Sequence, residues 1–502
     1  MWRGAGTAGR MRRGRGAATP GVLGNADFAL STTAQVKAAV AAAAKAEPRQ
    51  SGGKRFAFDQ VSTREAAVAP ILGIYLGFAV ARLHERFPVL QVPYLLWGLM
   101  AIMLATLWGA VPAAGWKKAW TSQPQFKLVA VLGFLATITV PLGIWMSGSL
   151  DYLLNRFTIA AAVFVACLFL LRDRRALRRV IALYVAITTV VAATNLVGYF
   201  GGDLSLTMLS AEERAAYQET GVVNTERLRQ TFGSLDPNDI AAVMATTFPL
   251  ALWLSVGSFR RRMLWTPSAL IMVVAVVPTA SRGGLLGLAA AAIVLVLVGA
   301  KGGKRVFLVS TLAIGALAFM MLAGSQLDRM GEFGGTDYNF TSSEGRIAIW
   351  KRGIVWMIRR PWGYGLNNFP VYFGWMNGPD RAAHNSLIQY GVELGVLGLA
   401  AYLWICTTLV KSLLAIRRNA LRAGAAGQEM LTLSGHVLAM LAACWTTGFF
   451  LSNAYYPMTY MAIGIGSAVV LGATGAAKPV AASPAPVPGV RRRRHLKAFE
   501  PV

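Results

Sequence analysis

Apolar runs of near twenty residues recur along this chain, separated by short polar connections. As a helix rising 1.5 Å per residue, such a run crosses the roughly 30 Å of a bilayer's hydrocarbon core. The pattern predicts spans near 66–83, 89–111, 128–146, 157–171, 180–200, 238–257, 264–281, 283–300, 306–324, 394–410, 433–452 and 455–474. The chain therefore reads as an all-α polytopic membrane protein with about twelve transmembrane helices. Two longer polar stretches interrupt the series, 201–237 and 324–393. The second has a helical signal of its own. Ile347, Trp350, Ile354 and Met357/Ile358 recur at helical spacing, while Arg346, Lys351, Arg352, Arg359 and Arg360 spread over the other sides. Thr341-Ser-Ser-Glu344 fits a capping box in front of it, and Pro361 stops it. This predicts an amphipathic helix on the outer membrane face, within a large extracytoplasmic loop.

Charge orients the series. Alternate connections carry Lys117/Lys118/Lys127, Arg172/Arg174/Arg175/Arg178/Arg179, Arg260/Arg261/Arg262, Lys301/Lys304/Arg305 and Lys411/Arg417/Arg418/Arg422, and the intervening short ones are poor in Lys and Arg. Basic connections stay in the cytoplasm of a bacterial inner membrane, so both termini are expected inside and the two long loops outside. Composition agrees. Of the 502 residues 55% are hydrophobic and only 14% charged, against roughly 25% charged in soluble domains. A net charge of +27 would point to nucleic acid in a soluble protein. Here the cations cluster between spans and carry topology, and no nucleic-acid partner is expected. Residues 1–64 are rich in Arg, Gly and Ala and lack a signal peptide's apolar core. They read as a disordered basic cytoplasmic tail before a transmembrane domain at 65–475, with a Pro/Ala/Arg-rich cytoplasmic tail at 476–502. Cys167, Cys406 and Cys444 fall inside apolar runs without metal or disulfide spacing.

Two constellations carry chemistry. Arg262 and Lys301 are both cytoplasmic by charge, and the stretch between them would span roughly 55 Å as helix, enough to cross and return. The turn must fall near Thr279-Ala-Ser-Arg-Gly-Gly284, which puts Arg282, the only charge in that stretch, at the outer mouth of the bundle. An arginine snorkelling to headgroups is the bland alternative; Gly283 and Gly287 suit close helix packing beside it. The second constellation is Ala383-His-Asn-Ser-Leu-Ile-Gln-Tyr-Gly-Val-Glu-Leu-Gly395. Asn385, Gln389 and Glu393 repeat every fourth residue and form a polar stripe on a helix that turns fully apolar after Gly395. His384 opens that helix, as either a base or a structural histidine. No P-loop, HExxH or Asp-x-Asp motif occurs, so neither a metal nor a nucleotide cofactor is expected.

Together these motifs resemble the O-antigen ligase and O-antigen polymerase family of membrane glycosyltransferases over roughly residues 220–410. The resemblance rests on Phe232-Gly-Ser-Leu-Asp-Pro-Asn-Asp239, with Asn238 among its polar members, on Thr279–Gly284, on Gly345-Arg-Ile-Ala-Ile-Trp350 followed by Pro361-Trp-Gly-Tyr-Gly365, and on His384-Asn-Ser-Leu-Ile-Gln389 with Glu393. It implies an undecaprenyl-diphosphate-linked glycan as donor and lipid A–core or another hydroxyl as acceptor. It also implies metal-independent transfer carried by Arg282, Arg346 and His384. The residue types suit that reaction. Arginine forks match phosphate oxygens, and imidazole, with an ordinary pKa of about 6.5, is largely neutral at pH 7 and can take a hydroxyl proton. A repeat-unit polymerase would use the same chemistry on a growing chain. A flippase for lipid-linked oligosaccharide is the alternative of another class; it would show related halves and ionisable residues near the midplane.

Overall fold

The structure is a computed structural model that describes residues 63–92, 94–200, 237–279, 281–299, 305, 309–310, 345–377 and 381–475. All of these fall in one compact unit, Lys54–Val502. Every regular element among the described residues is helical, as expected of backbone that must satisfy its own hydrogen bonds away from water. In chain order the helices are α1 (Thr63–Ala79), α2 (Leu95–Ala110), α3 (Ala113–Ser122), α4 (Pro124–Ile138), α5 (Met146–Leu170, with a π-turn at Leu153–Phe157), α6 (Arg174–Phe200) and α7 (Pro237–Leu254). There follow α8 (Phe259–Val276), α9 (Arg282–Leu297), α10 (Arg346–Arg359), α11 (Phe369–Asn377), α12 (Ser386–Glu393), α13 (Gly395–Arg422), α14 (Gln428–Phe449) and α15 (Pro457–Gly475).

All but one of the expected spans fall on these helices; the exception, 306–324, lies outside the described residues except for 309–310, as do most of 201–237 and the 341–344 capping box. Five stretches are long and apolar enough to cross a membrane alone: Met146–Leu170, Arg174–Gly198, Phe259–Thr279, Gly395–Arg422 and Gly424–Phe449. A sixth candidate is the pair α2 and α3, bent by 98° at its break. Apolar segments of α1, α4, α9 and α15 are shorter than a full span. The expectation of about twelve independent crossings is thus only partly met, because broken and short helices share the apolar positions.

Three helices define the direction of the bundle. α9 packs along α14 and α7, and it does so closely because Gly287 lies against Thr447 and Gly284 against Ala241, where a Cβ would collide. The C-terminal ends of α7 and α9 and the start of α14 share a basic end. There Arg174 pairs with Glu429, and the Arg178 guanidinium lies 5.2 Å from the Trp253 ring centroid. Arg417 donates to the carbonyls of Val298 at 3.0 Å and Leu431 at 2.6 Å. Arg174, Arg178 and Arg417, members of two of the basic connections, therefore gather at one end. Arg282 and Phe449 lie at the opposite ends of the same helices.

Candidate functional site

At that opposite end, the turn following α14, Phe449–Asn453, is the point on which the predicted residues converge. Arg282 is the first residue of α9, whose cap Ser281 accepts the Gly284 amide; a Cβ on Gly283 would sit 3.1 Å from that of Phe450. Arg346 is the first residue of α10, capped by Gly345. One helical turn on, Trp350 stacks edge-on against Phe449 with centroids 5.4 Å apart and donates its indole N–H to the Ala383 carbonyl at 2.9 Å. The next residue, His384, donates its amide to Ser452 Oγ at 2.9 Å. All three predicted residues are half-buried. One turn of chain thus collects the N-terminal ends of α9, α10 and α12, and helix N-termini favour anions.

The stretch after His384 is fastened to the same turn residue by residue. Ser386 Oγ donates to the Leu451 carbonyl at 2.9 Å and accepts the Asn453 amide at 3.0 Å; the Ala454 amide donates to Gln389 Oε1 at 3.4 Å. Two details correct the sequence reading. His384 does not open the helix: it precedes the cap Asn385, whose side chain accepts the amides of Leu387 and Ile388. His384 itself has a φ of 46°, a left-handed conformation that costs a residue with a Cβ free energy and survives only where neighbours enforce it. Nor does α12 run on into the apolar span. It ends at Glu393, and Gly395 restarts the chain as α13, so the stripe of Asn385, Gln389 and Glu393 is a cap followed by two buried residues. Asn238 lies at the N-terminal end of α7, half-buried, where the adjoining Asp239 accepts the Tyr456 hydroxyl at 3.3 Å.

α10 forms as predicted, and it also has a protein-facing side that the sequence reading did not single out. Ile349, Gly353 and Trp356 are buried against α11 and α12, with Trp350 and Met357 partly so, whereas Ile347, Ile354 and Ile358 are exposed. The helix carries two apolar stripes, and spacing alone does not say which one packs. After it, Pro361–Gly365 lies backbone to backbone against the break between α12 and α13. The Tyr364 amide donates to Val392 O at 2.9 Å, Gly365 N to Glu393 O at 3.0 Å, and Val396 N to Pro361 O at 2.8 Å. Beneath this clamp Glu393 is fully buried. Oε1 accepts the Phe369 amide at 3.4 Å, and Oε2 has no hydrogen-bond partner among the described residues. Burial pushes its carboxyl up to about 8, partly opposed by polar groups around it, the Phe369 amide among them.

Two cavities flank the turn. One, of about 430 Å³, is apolar and lies between α13 and α14, lined by Leu387, Tyr402, Cys406, Trp445, Phe449 and Phe450. The other, of about 310 Å³, is charged; Asn453 lines it while bonding Ser386 through its amide. Sequence reasoning quoted Ser386 within its motif without giving it a role, and missed Ser452 and Asn453. The only signal for them is a polar pair, Ser452-Asn453, between two apolar runs.

Residues 267–403 match the family model described as O-antigen ligase. The chain carries a domain of that family. The match covers a little over a quarter of the chain, from within α8 to the first turns of α13, and takes in Arg282, Arg346 and His384. No curated protein matches the chain. An O-antigen ligase domain on a bundle of apolar helices gives the protein a role in glycan assembly at a membrane.

Proposed function

We propose that the protein transfers a glycan from an undecaprenyl-diphosphate carrier to an acceptor hydroxyl on the extracytoplasmic side of the inner membrane. The observation that supports this reading is that the segments bearing Arg282, Arg346 and His384 meet the Phe449–Asn453 turn, through Gly283, Trp350 and the His384 amide, beside an apolar cavity. The diphosphate sits against the two guanidinium groups and the N-terminal ends of α9 and α10, and the polyprenyl chain runs into the cavity between α13 and α14. The acceptor oxygen attacks the anomeric carbon as the bond from that carbon to the diphosphate oxygen breaks. His384 takes the hydroxyl proton, and the arginines balance the charge that collects on the departing diphosphate. The exposed stripe of Ile347, Ile354 and Ile358 rests in the headgroup layer, which holds α10 at the membrane surface. An O-antigen polymerase differs from this only in using a growing glycan as acceptor.

Donor binding and transfer measured separately on purified protein test the assignment. His384→Ala should abolish transfer and leave affinity for the undecaprenyl-diphosphate glycan near that of the wild type. Arg282→Lys, which keeps the charge but loses the fork, should weaken donor binding and reduce transfer by about tenfold or more. Full activity in Arg282→Lys would return that residue to a headgroup anchor. Weakened donor binding with intact chemistry in His384→Ala would make His384 a phosphate ligand instead of the base.

A further inference from the structure

We propose that the 310 Å³ cavity on the far side of the Phe449–Asn453 turn is a binding site for an uncharged sugar ring. It is lined by Arg82, Trp97, Asp151, Asn155, Arg156 and Asp239, none of which lies within residues 267–403. Its volume is at the lower end of the range for small-ligand sites, which suits one or two sugar units.

The charges decide the ligand class. Two guanidinium groups face two carboxylates, so the cavity has no net charge. A phosphate or an acidic sugar would meet Asp151 and Asp239 as well as the arginines, and its attraction to one pair would be offset by repulsion from the other. A neutral polyhydroxyl ring takes advantage of both: carboxylates accept from its hydroxyl groups, and arginines donate to its hydroxyl and ring oxygens. Trp97 adds a broad apolar face for the C–H side of the ring.

The site is built before any ligand arrives. The Trp97 indole N–H donates to Asn155 Oδ1 at 3.0 Å, and Asn155 Nδ2 donates to Asp151 Oδ1 at 2.6 Å. Asp239 accepts the Tyr456 hydroxyl, and Arg82 and Arg156 both lie close enough to act on that hydroxyl electrostatically. The π-turn at Leu153–Phe157, a helix irregularity common at functional sites, carries Asn155 and Arg156. A second observation is independent of these contacts. Asn453, only 3% exposed, lines the cavity, and its Nδ2 donor has no partner among the described residues. An unmet buried donor costs about 1–3 kcal/mol, which leaves this cavity wall with a hydrogen bond still to make.

The inference extends the transferase reading, in which the sugar comes from either the acceptor or the glycan of the donor. Saturation-transfer NMR on the detergent-purified full chain tests it without any transfer step. The probes are the methyl glycosides of glucose, galactose, mannose, rhamnose and N-acetylglucosamine, with inorganic phosphate as the anionic arm. At least one glycoside should bind, Arg156→Gln and Asp151→Asn should each weaken it tenfold or more, and His384→Ala should leave it unchanged. Phosphate binding that is lost in Arg156→Gln, or glycoside binding that neither cavity variant alters, overturns the proposal, as does the absence of binding by every glycoside. Transfer kinetics then separate the sources: a raised KM for acceptor in Arg156→Gln assigns the acceptor sugar, and one for donor assigns the donor glycan. Should His384→Ala keep full transfer while glycosides still bind here, the catalytic reading fails and the cavity stands.

Discussion

Burial pushes the Glu393 carboxyl up to about 8, well above the ordinary carboxylate range. That shift ties its charge to stability. In the unfolded chain a glutamate titrates near pH 4.3, whereas here the carboxyl titrates at about 8. Between those values the folded protein binds a proton that the unfolded chain has released, so stability falls as pH rises through the window. The pKa difference sets a ceiling of about 5 kcal/mol on that loss. Gln has the shape of the protonated acid and cannot ionise. Glu393→Gln should therefore leave the melting temperature in detergent nearly unchanged at pH 5 and raise it by several degrees at pH 9. A Tm difference that does not grow with pH would show that Glu393 is ionised in the fold.

Helix junctions hold the site residues in place, and the Pro361–Gly365 clamp is where a single methyl group has the largest effect. Gly395 has a φ of 75°, and a Cβ there would collide with Pro361 O and lie 2.7 Å from Trp362 C. Gly424, at 59°, has nothing within 4 Å of the same position. Both alanine variants carry left-handed strain of about 1–2 kcal/mol, but only Gly395→Ala must also push the facing backbone segments away from each other. In thermal unfolding Gly395→Ala should lose at least about 2 kcal/mol more than Gly424→Ala; equal losses would mean that the clamp gives way freely. Junctions were also the least legible feature of the sequence. The break between Thr279 and Ser281 was readable because the length between the two basic clusters at Arg262 and Lys301 suggests a chain that turns back midway. The break at Leu394 was not, since Gln389 and Glu393 keep helical spacing up to it and only Gly395 hints at it. The clamp joins segments some thirty residues apart through backbone atoms, which leave no side-chain pattern to read. The Phe449–Asn453 turn escaped notice for the same reason: it gathers the candidate site through backbone and hydroxyl groups in what reads as an ordinary connection.

At the scale of the whole helical unit, the two ends of α9 link topology to chemistry. Arg282 begins the helix at the candidate site, and Val298, just past its end, accepts Arg417 among the basic connections. α14 repeats the arrangement, from Glu429 paired with Arg174 to Phe449 beside Trp350. α14 is long and apolar enough to cross a membrane, and a crossing by it puts the basic end and the site on opposite sides. Basic connections resist translocation, so the Arg174–Arg179 and Arg417–Arg422 clusters should be cytoplasmic and the site extracytoplasmic. A reporter active only in the cytoplasm should therefore work when fused after Arg262 or Arg422 and fail when fused after Trp375, an exposed residue of α11 beyond the clamp. An extracytoplasmic reporter should give the opposite pattern at all three positions. Cytoplasmic activity at Trp375 together with its absence at Arg262 would invert the unit and place Arg282, Arg346 and His384 inside. A polyprenyl donor would then have to be used before export, and the extracytoplasmic transferase reading would fall with the topology.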